Sequence, residues 1–470
     1  MQPTKSKLVS LPVLLLATAL GLTPQSLKPS FLSFEDAQPI LASFQQALPN
    51  ELQSKSGSAL AAAWPEWEQK HDAEIRGRMV RGDEDSMVNF LFFGTSFTHQ
   101  PRVTAKSLEA AQISGELAGR LILARIEGLY QALKAPGVNE RLLFLRGLVE
   151  RQGYRFDDPL AGKRISAYLL ENVLRVLREQ RSYAKVLAAS RQSNDATDDF
   201  ITRSKLFEGR GLSLDTSFRP NYAIEQCLEE MKQRGLLKSG SIRRVAVIGP
   251  GLDFTDKENG YDFYPLQTLQ PFAVIDSLLH LELGMPRDLR VAVFDISPHL
   301  LDHLTRAVRL SRRGDAYTVQ LPLDSEVSWT PSTVRYWRRF GGRIGKPVEP
   351  IKPPAGLGVK LRAVQVYPSV VRLIDPLNLD IVLQHLDLAE NEKFDLIVAT
   401  NIFVYYEELE QTLALKNVEK MLRPGGVLLS NTALLELPGS QVRSVDNLSV
   451  QYSERPGDGD HIIWYQRQLK

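Results

Sequence analysis

The alternation of apolar and polar positions changes character along the chain. An uncharged run from Leu8 to Leu22 follows Lys5 and Lys7. Up to about Asn50, Pro24, Pro29, Pro39 and Pro49 interrupt any long helix, because proline removes a backbone donor and clashes with the preceding turn. Residues 27–101 therefore read as a connector that is helical in part. From Arg102 to about Gly240 the pattern is helical: Leu108, Ala111, Leu117, Leu121, Ile122, Ile126 and Tyr130 share one face, as do Leu142, Leu145, Leu148 and Val149, and Tyr168, Leu169, Val173, Val176 and Leu177.

Past Gly240 the period shortens. Apolar runs at Arg244–Ile248, Val291–Asp295, Ile381–His385, Leu396–Thr400 and Val427–Ser430 alternate with helical patterns at Pro271–Leu283, Pro298–Leu310 and Glu407–Leu422. Continuous apolar strands separated by amphipathic helices predict a mostly parallel sheet covered on both faces. The expected architecture is an all-helical N-terminal domain over 102–240, then an α/β domain over 241–470 with an insert at 314–375.

Composition adds two exclusions and one expectation. The 470 residues carry a net charge of +2, so no concentrated basic surface and no nucleic-acid partner is expected. Cys227 is the single cysteine, which excludes an intramolecular disulfide, a CxxC pair and a thiolate zinc cluster; its expected place is a buried helix face. The basic start, apolar run and small residues Ala17 and Ala19 predict a secretory signal peptide or signal anchor over residues 1–26. Export or membrane attachment through this segment is the expectation, with a cytoplasmic protein as the alternative. The run is shorter than the roughly 20 residues of a membrane span.

In a parallel sheet, ligands bind beyond the carboxyl ends of the strands, so the chemistry is sought just after each run. There stand Gly249-Pro-Gly251-Leu-Asp253, then Asp295, Asp387, Asn401 with Tyr405 and Tyr406, and the segment M-L-R-P-G-G-V-L-L-S, Met421–Ser430. The glycine loop by itself fits a dinucleotide enzyme, a methyltransferase or a plain turn. The gap from Gly251 to Asp295 is about twice the roughly 20 residues of a dinucleotide fingerprint, which disfavours an NAD-type oxidoreductase.

Together with F-D-L-I-V-A-T-N and L-R-P-G-G-V-L-L-S, the ordered set resembles the class I S-adenosylmethionine-dependent methyltransferases, over roughly Ser241–Lys470. N-I-F-V-Y-Y is most similar to the corresponding stretch of chemotaxis-type protein-glutamate O-methyltransferases. The resemblance implies a Rossmann-like sheet closed by an antiparallel hairpin near Asn447–Tyr452 and His461–Gln466, and S-adenosylmethionine as cofactor. It implies cofactor contacts at Gly249, Gly251, Asp253 and Asn401, the ribose at Asp295, and the adenine amino group at Asp387. Tyr261, Tyr264, Tyr405 and Tyr406 are the candidates for the acceptor side. The acceptor, a small molecule or a protein, is not legible.

The sequence departs from the family at several points. Val247 replaces an acidic residue, Asp253 replaces the third glycine, and Phe254–Leu269 lengthens the loop. The insert brings Trp329, Tyr336 and Trp337 together with Arg335, Arg338, Arg339 and Arg343, which reads either as recognition of an anionic or aromatic substrate or as a solvated helix and linker. Arg81–Thr98 reads either as a substrate-facing lid or as a capped helix or strand with its aromatics in the core. His299 and His303 share a helix face but lack the glutamate of a zinc motif, so no metal is expected. These departures, with the export signal, leave a catalytically inactive binding module of the cell envelope as the alternative to an active enzyme.

Overall fold

The computed structural model describes residues 28–103, 115–158, 160–190, 211–212, 215–216, 218–255, 262–323, 328–353, 360–455 and 457–469. Its strands are β1 Pro29–Phe31, β2 Arg244–Ile248, β3 Arg290–Asp295, β4 Tyr317–Pro322, β5 Gly345–Val348, β6 Leu361–Val366, β7 Ile374–Asn378, β8 Gln384–Leu386, β9 Phe394–Ala399, β10 Leu422–Ser430, β11 Val442–Gln451 and β12 Gly459–Arg467. Its helices are α1 Phe34–Ser43, α2 Asn50–Gln53, α3 Gly57–Phe93, α4 Gly115–Lys134, α5 Glu140–Arg151, α6 Ala161–Ser190, α7 Pro220–Gln233, α8 Gln270–His280, α9 Pro298–Ser311, α10 Pro331–Arg339, α11 Pro368–Val371 and α12 Glu408–Met421.

Seven strands form one sheet in the order β11-β12-β10-β9-β2-β3-β7. β10, β9, β2, β3 and β7 run parallel, with Val245 opposite both Val291 and Leu396. β12 pairs antiparallel with β10, and β11 antiparallel with β12. Because side chains alternate across a strand, each apolar strand feeds two cores. Val245 and Val247 enter one, with α7, α8 and α9; Ala246 and Ile248 enter the other, with α12.

The second core explains the N-terminal connector. β1 pairs antiparallel with β8, and α1 lies against α12. Leu32, Ile40, Leu41, Trp64, Trp67 and Ile75 are buried there beside Phe294, Ile397 and Leu413. Trp64 donates its indole N–H to the Leu32 carbonyl at 2.9 Å. The segment read as a connector thus covers one face of the sheet.

The helical part shares the first core. The far end of α3 packs with α4, α5 and α6, and Phe90 and Phe144 both meet Phe254 of the loop after β2 edge-on. Residues 81–93, most of the Arg81–Thr98 stretch, are the last turns of α3, with Phe90, Leu91 and Phe92 buried. Cys227 is buried on α7, where desolvation pushes its thiol up to about 12.

Two sequence expectations are corrected. The strand beside β3 is Ile374–Asn378, not Ile381–His385. Its Pro376 is tolerated because this strand pairs on one side only, while Ile381, Val382 and Leu383 are buried in a turn. The aromatic part of the insert, Trp329–Phe340, is packed inward rather than presented to a substrate or to solvent. β4, β6 and β5 form an antiparallel sheet of their own, and Trp329, Tyr336 and Trp337 are buried, with Phe218 edge-on to both tryptophans. Arg339 pairs with Glu225 of α7.

Candidate functional site

A cleft opens at the carboxyl ends of the parallel strands. Ile248, Gly249 and Gly251 line it from the end of β2, Phe294, Asp295, Ile296 and Ser297 from β3, Leu379 and Ile381 from beyond β7, and Ile402, Tyr405 and Tyr406 from beyond β9. Met79 and Asp83 of α3, with Leu212, form the opposite wall.

Gly249 and Gly251 both adopt left-handed conformations, with φ of 59° and 65°, which a Cβ disfavours. At Gly249 there is a second reason: a Cβ would overlap Ile402 Cδ1 and stand 2.9 Å from its Cγ1. Gly249 therefore lets the turns after β2 and β9 touch. Val247, where the resemblance implies an acidic residue, is fully buried in the sheet.

Asp295 ends β3, and its Oδ1 accepts the Ser297 N–H at 2.7 Å. Burial outweighs the backbone donors of Ser297 and Ile296 and pushes the carboxyl up to about 7. Tyr406 is buried beside it, with the Arg78 guanidinium 5.6 Å from its ring centre. Arg78 also donates to the Tyr405 carbonyl. Of the four tyrosines named from the sequence, Tyr405 and Tyr406 line the cleft.

Other named residues do not. Asp253 accepts from Tyr264 Oη at 2.7 Å and Gln267 Nε2 at 2.8 Å, so both its carboxylate and Tyr264 are used within the loop. Arg141 of α5 donates to the carbonyls of Asp253, Phe254 and Tyr264. Asp262, from the same loop, accepts the Thr95 and Ser96 N–H groups at 2.9 and 3.1 Å. The lengthened loop is thus bolted to the helical layer at two points. Tyr261 lies outside the described residues.

Asn401 sits at φ 60° and exchanges hydrogen bonds with Asn431, 2.8 and 2.6 Å long, on the rim rather than the cleft wall. Asp387 lies elsewhere. It follows β8, is mostly exposed, and accepts from Ser30 Oγ at 2.6 Å. The misplaced third strand carried that expectation with it. His303 is hydrogen-bonded to Tyr317 Oη at 2.8 Å and His299 meets Phe144 edge-on. Among the described residues no group of His, Cys, Asp and Glu is placed to hold a metal.

Sequence reasoning missed Met79 and Asp83 as cleft residues. The acidic run Asp83-Glu84-Asp85 was visible, and each member has a different job: Glu84 accepts from Tyr168 Oη at 2.8 Å, Asp85 pairs with Arg175 at 2.7 Å, and Asp83 faces the cleft. Burial pushes the Asp83 carboxyl up to about 7.

Five parallel strands in this order, closed by the β11–β12 hairpin whose inner strand β12 runs antiparallel, make a Rossmann-like sheet of the kind the resemblance implies. No protein-family model matches the sequence, and no curated protein matches it. Solved structures similar to the chain include the glycopeptide N-methyltransferase MtfA, with 11% identity, 52% of this chain and 95% of that one covered, and a TM-score of 0.26. LaPhzM is similar at 11% identity, with 77% and 99% covered and a TM-score of 0.27. An rRNA methylase from Streptococcus thermophilus is similar at 11%, with 54% and 99% covered and a TM-score of 0.22. These likenesses are too slight to bear on activity; the assignment of the fold rests on the strand order.

Proposed function

We propose that the chain is an S-adenosylmethionine-dependent methyltransferase. The observation that carries this reading is the cleft itself: glycines in left-handed turns after β2 and a desolvated carboxylate after β3 line one cavity at the strand ends. The residues fit the cofactor. Asp295 keeps carboxylate capacity beyond its Ser297 contact to accept both hydroxyl hydrogens of a ribose. Gly249 and Gly251 present backbone rather than side chains to the ligand, and Leu379 and Ile381 offer an apolar wall for an aromatic base.

S-adenosylmethionine supplies a methyl group on a sulfonium, an already activated donor. The chain's task is then to hold donor and acceptor in line and to exclude water, which by itself accounts for several kcal/mol of a displacement barrier. Tyr405 and Tyr406 are assigned to the acceptor side. Export or anchoring through Leu8–Leu22 is part of the proposal, tested by fusing residues 1–30 to a reporter active only outside the cytosol.

Calorimetric titration of the full chain with S-adenosylmethionine, S-adenosylhomocysteine and NAD tests the main reading. Binding of the first two and not the third is expected. Binding of NAD alone would replace it with an oxidoreductase, and binding of none would favour the inactive module.

A further inference from the structure

Asp83 and Asp295 are the only charged side chains that line the cleft among the described residues. No basic side chain faces them inside it. Asp295 stands at the end of β3, where the proposed ribose takes it. Asp83 stands on the facing wall, one turn of α3 beyond Met79, and no hydrogen bond to its carboxylate is present among the described residues. Its ionic neighbour is Arg151 of α5, at 3.8 Å and about half exposed, a separation and exposure at which a pair contributes little. Glu84, next to it on α3, adds negative charge. A desolvated carboxylate without hydrogen bonds is costly unless a cation meets it.

We propose that Asp83 is a cofactor-positioning residue that receives the ammonium of the ligand's amino-acid end, reaching the cleft from the N-terminal helix α3 rather than from the sheet. This rests on the methyltransferase reading above. Both S-adenosylmethionine and S-adenosylhomocysteine carry that ammonium, whereas the neutral diol of their ribose asks nothing of a second carboxylate. The assignment also gives α3 a reason to lie across the strand ends: Arg76 donates to Asn378 Oδ1 at 2.7 Å at the end of β7, and Arg78 to the Tyr405 carbonyl beyond β9, which fixes the helix between them.

The test compares two ligands that differ in this one group. Methylthioadenosine keeps the adenine, ribose and sulfur but lacks the amino acid. Asp83→Asn is nearly isosteric, and calorimetry on the full chain is expected to show S-adenosylhomocysteine weakened by about tenfold or more, as for loss of a charge-assisted hydrogen bond. Methylthioadenosine is expected to bind both proteins within about twofold, which also reports that the cleft is intact. Equal weakening of both ligands would overturn the proposal, as would no change in either, an outcome that would move Asp83 to the acceptor side. Weakening of S-adenosylmethionine alone would overturn it too, by assigning Asp83 to the sulfonium. A wild-type protein that binds neither compound would remove the methyltransferase reading and this one with it.

Discussion

Arg141 and Asp253 are joined across the boundary between helical layer and sheet: the Arg141 guanidinium donates to the Asp253 carbonyl at 2.9 Å, and to those of Phe254 and Tyr264 as well. One fully buried arginine thereby satisfies three loop carbonyls that have no strand to pair with. Arg141→Met keeps the apolar stem and removes the donors. It is expected to destabilise the protein by about 3 kcal/mol, since buried acceptors are left unsatisfied. Hydrogen exchange should rise first in residues 262–269; unchanged protection there would mean that the loop holds itself.

Asp295 carries opposed effects on stability and binding. Its folded carboxyl lies near 7, against about 3.8 without burial. The folded state therefore holds this proton more tightly, so stability is fully present below about pH 4 and falls as pH rises towards 7. Asp295→Asn keeps the acceptor for the Ser297 N–H and has no charge to desolvate. It is expected to melt a few degrees above wild type at pH 8, with the gap closing towards pH 4. The same variant should bind S-adenosylhomocysteine at least about tenfold more weakly at pH 8. Scanning calorimetry across pH checks the first outcome and titration the second.

Gly249 is required for packing as well as for its backbone conformation. Gly249→Ala is expected to cost about 1–3 kcal/mol, through the left-handed φ and the overlap with Ile402. Adding Ile402→Ala should recover the steric part only, so the double variant is less unstable than the sum of the two single changes. Strict additivity in denaturant midpoints would show that the overlap relaxes without cost.

Asp387 provides the contrasting case. It sits with Ser30 and His385 beside the β1–β8 ribbon. Asp387→Asn should leave the affinity for S-adenosylhomocysteine within about twofold of wild type, as expected for a surface change away from the cleft. A tenfold loss would place the adenine where the resemblance implies it.

Much of the sheet was readable from periodicity because β2, β9, the middle of β3 and the Val427–Ser430 half of β10 carry apolar runs that are largely buried. β7 was not: I-D-P-L-N at an edge carries a proline and an aspartate, and the neighbouring Ile381–Leu383 gave the stronger but misleading signal. The 37-residue α3 was obscured for another reason. It holds Pro65, Gly77 and Gly82, and it buries Trp64 and Trp67 in one core but Phe90 and Leu91 in the other, so it shows no single apolar stripe. Gly249, Gly251 and Asp295 were legible because they follow clear strands. Asp83 was not, because nothing local distinguishes it from Glu84 and Asp85; only the tertiary crossing of α3 over the strand ends separates them.

The ribbon of β1 and β8 has a consequence for how the chain is made. Ser30 and Asp387 are bonded across 357 residues, so a segment synthesised near the start must wait for its partner until most of the polypeptide has left the ribosome. At about 5–20 residues per second that delay is on the order of tens of seconds. Throughout it, Leu32, Ile40, Trp64 and Trp67 have no sheet to cover. The nascent chain thus exposes an apolar, strand-bearing segment for most of its synthesis, a substrate for holding chaperones before it becomes part of a fold.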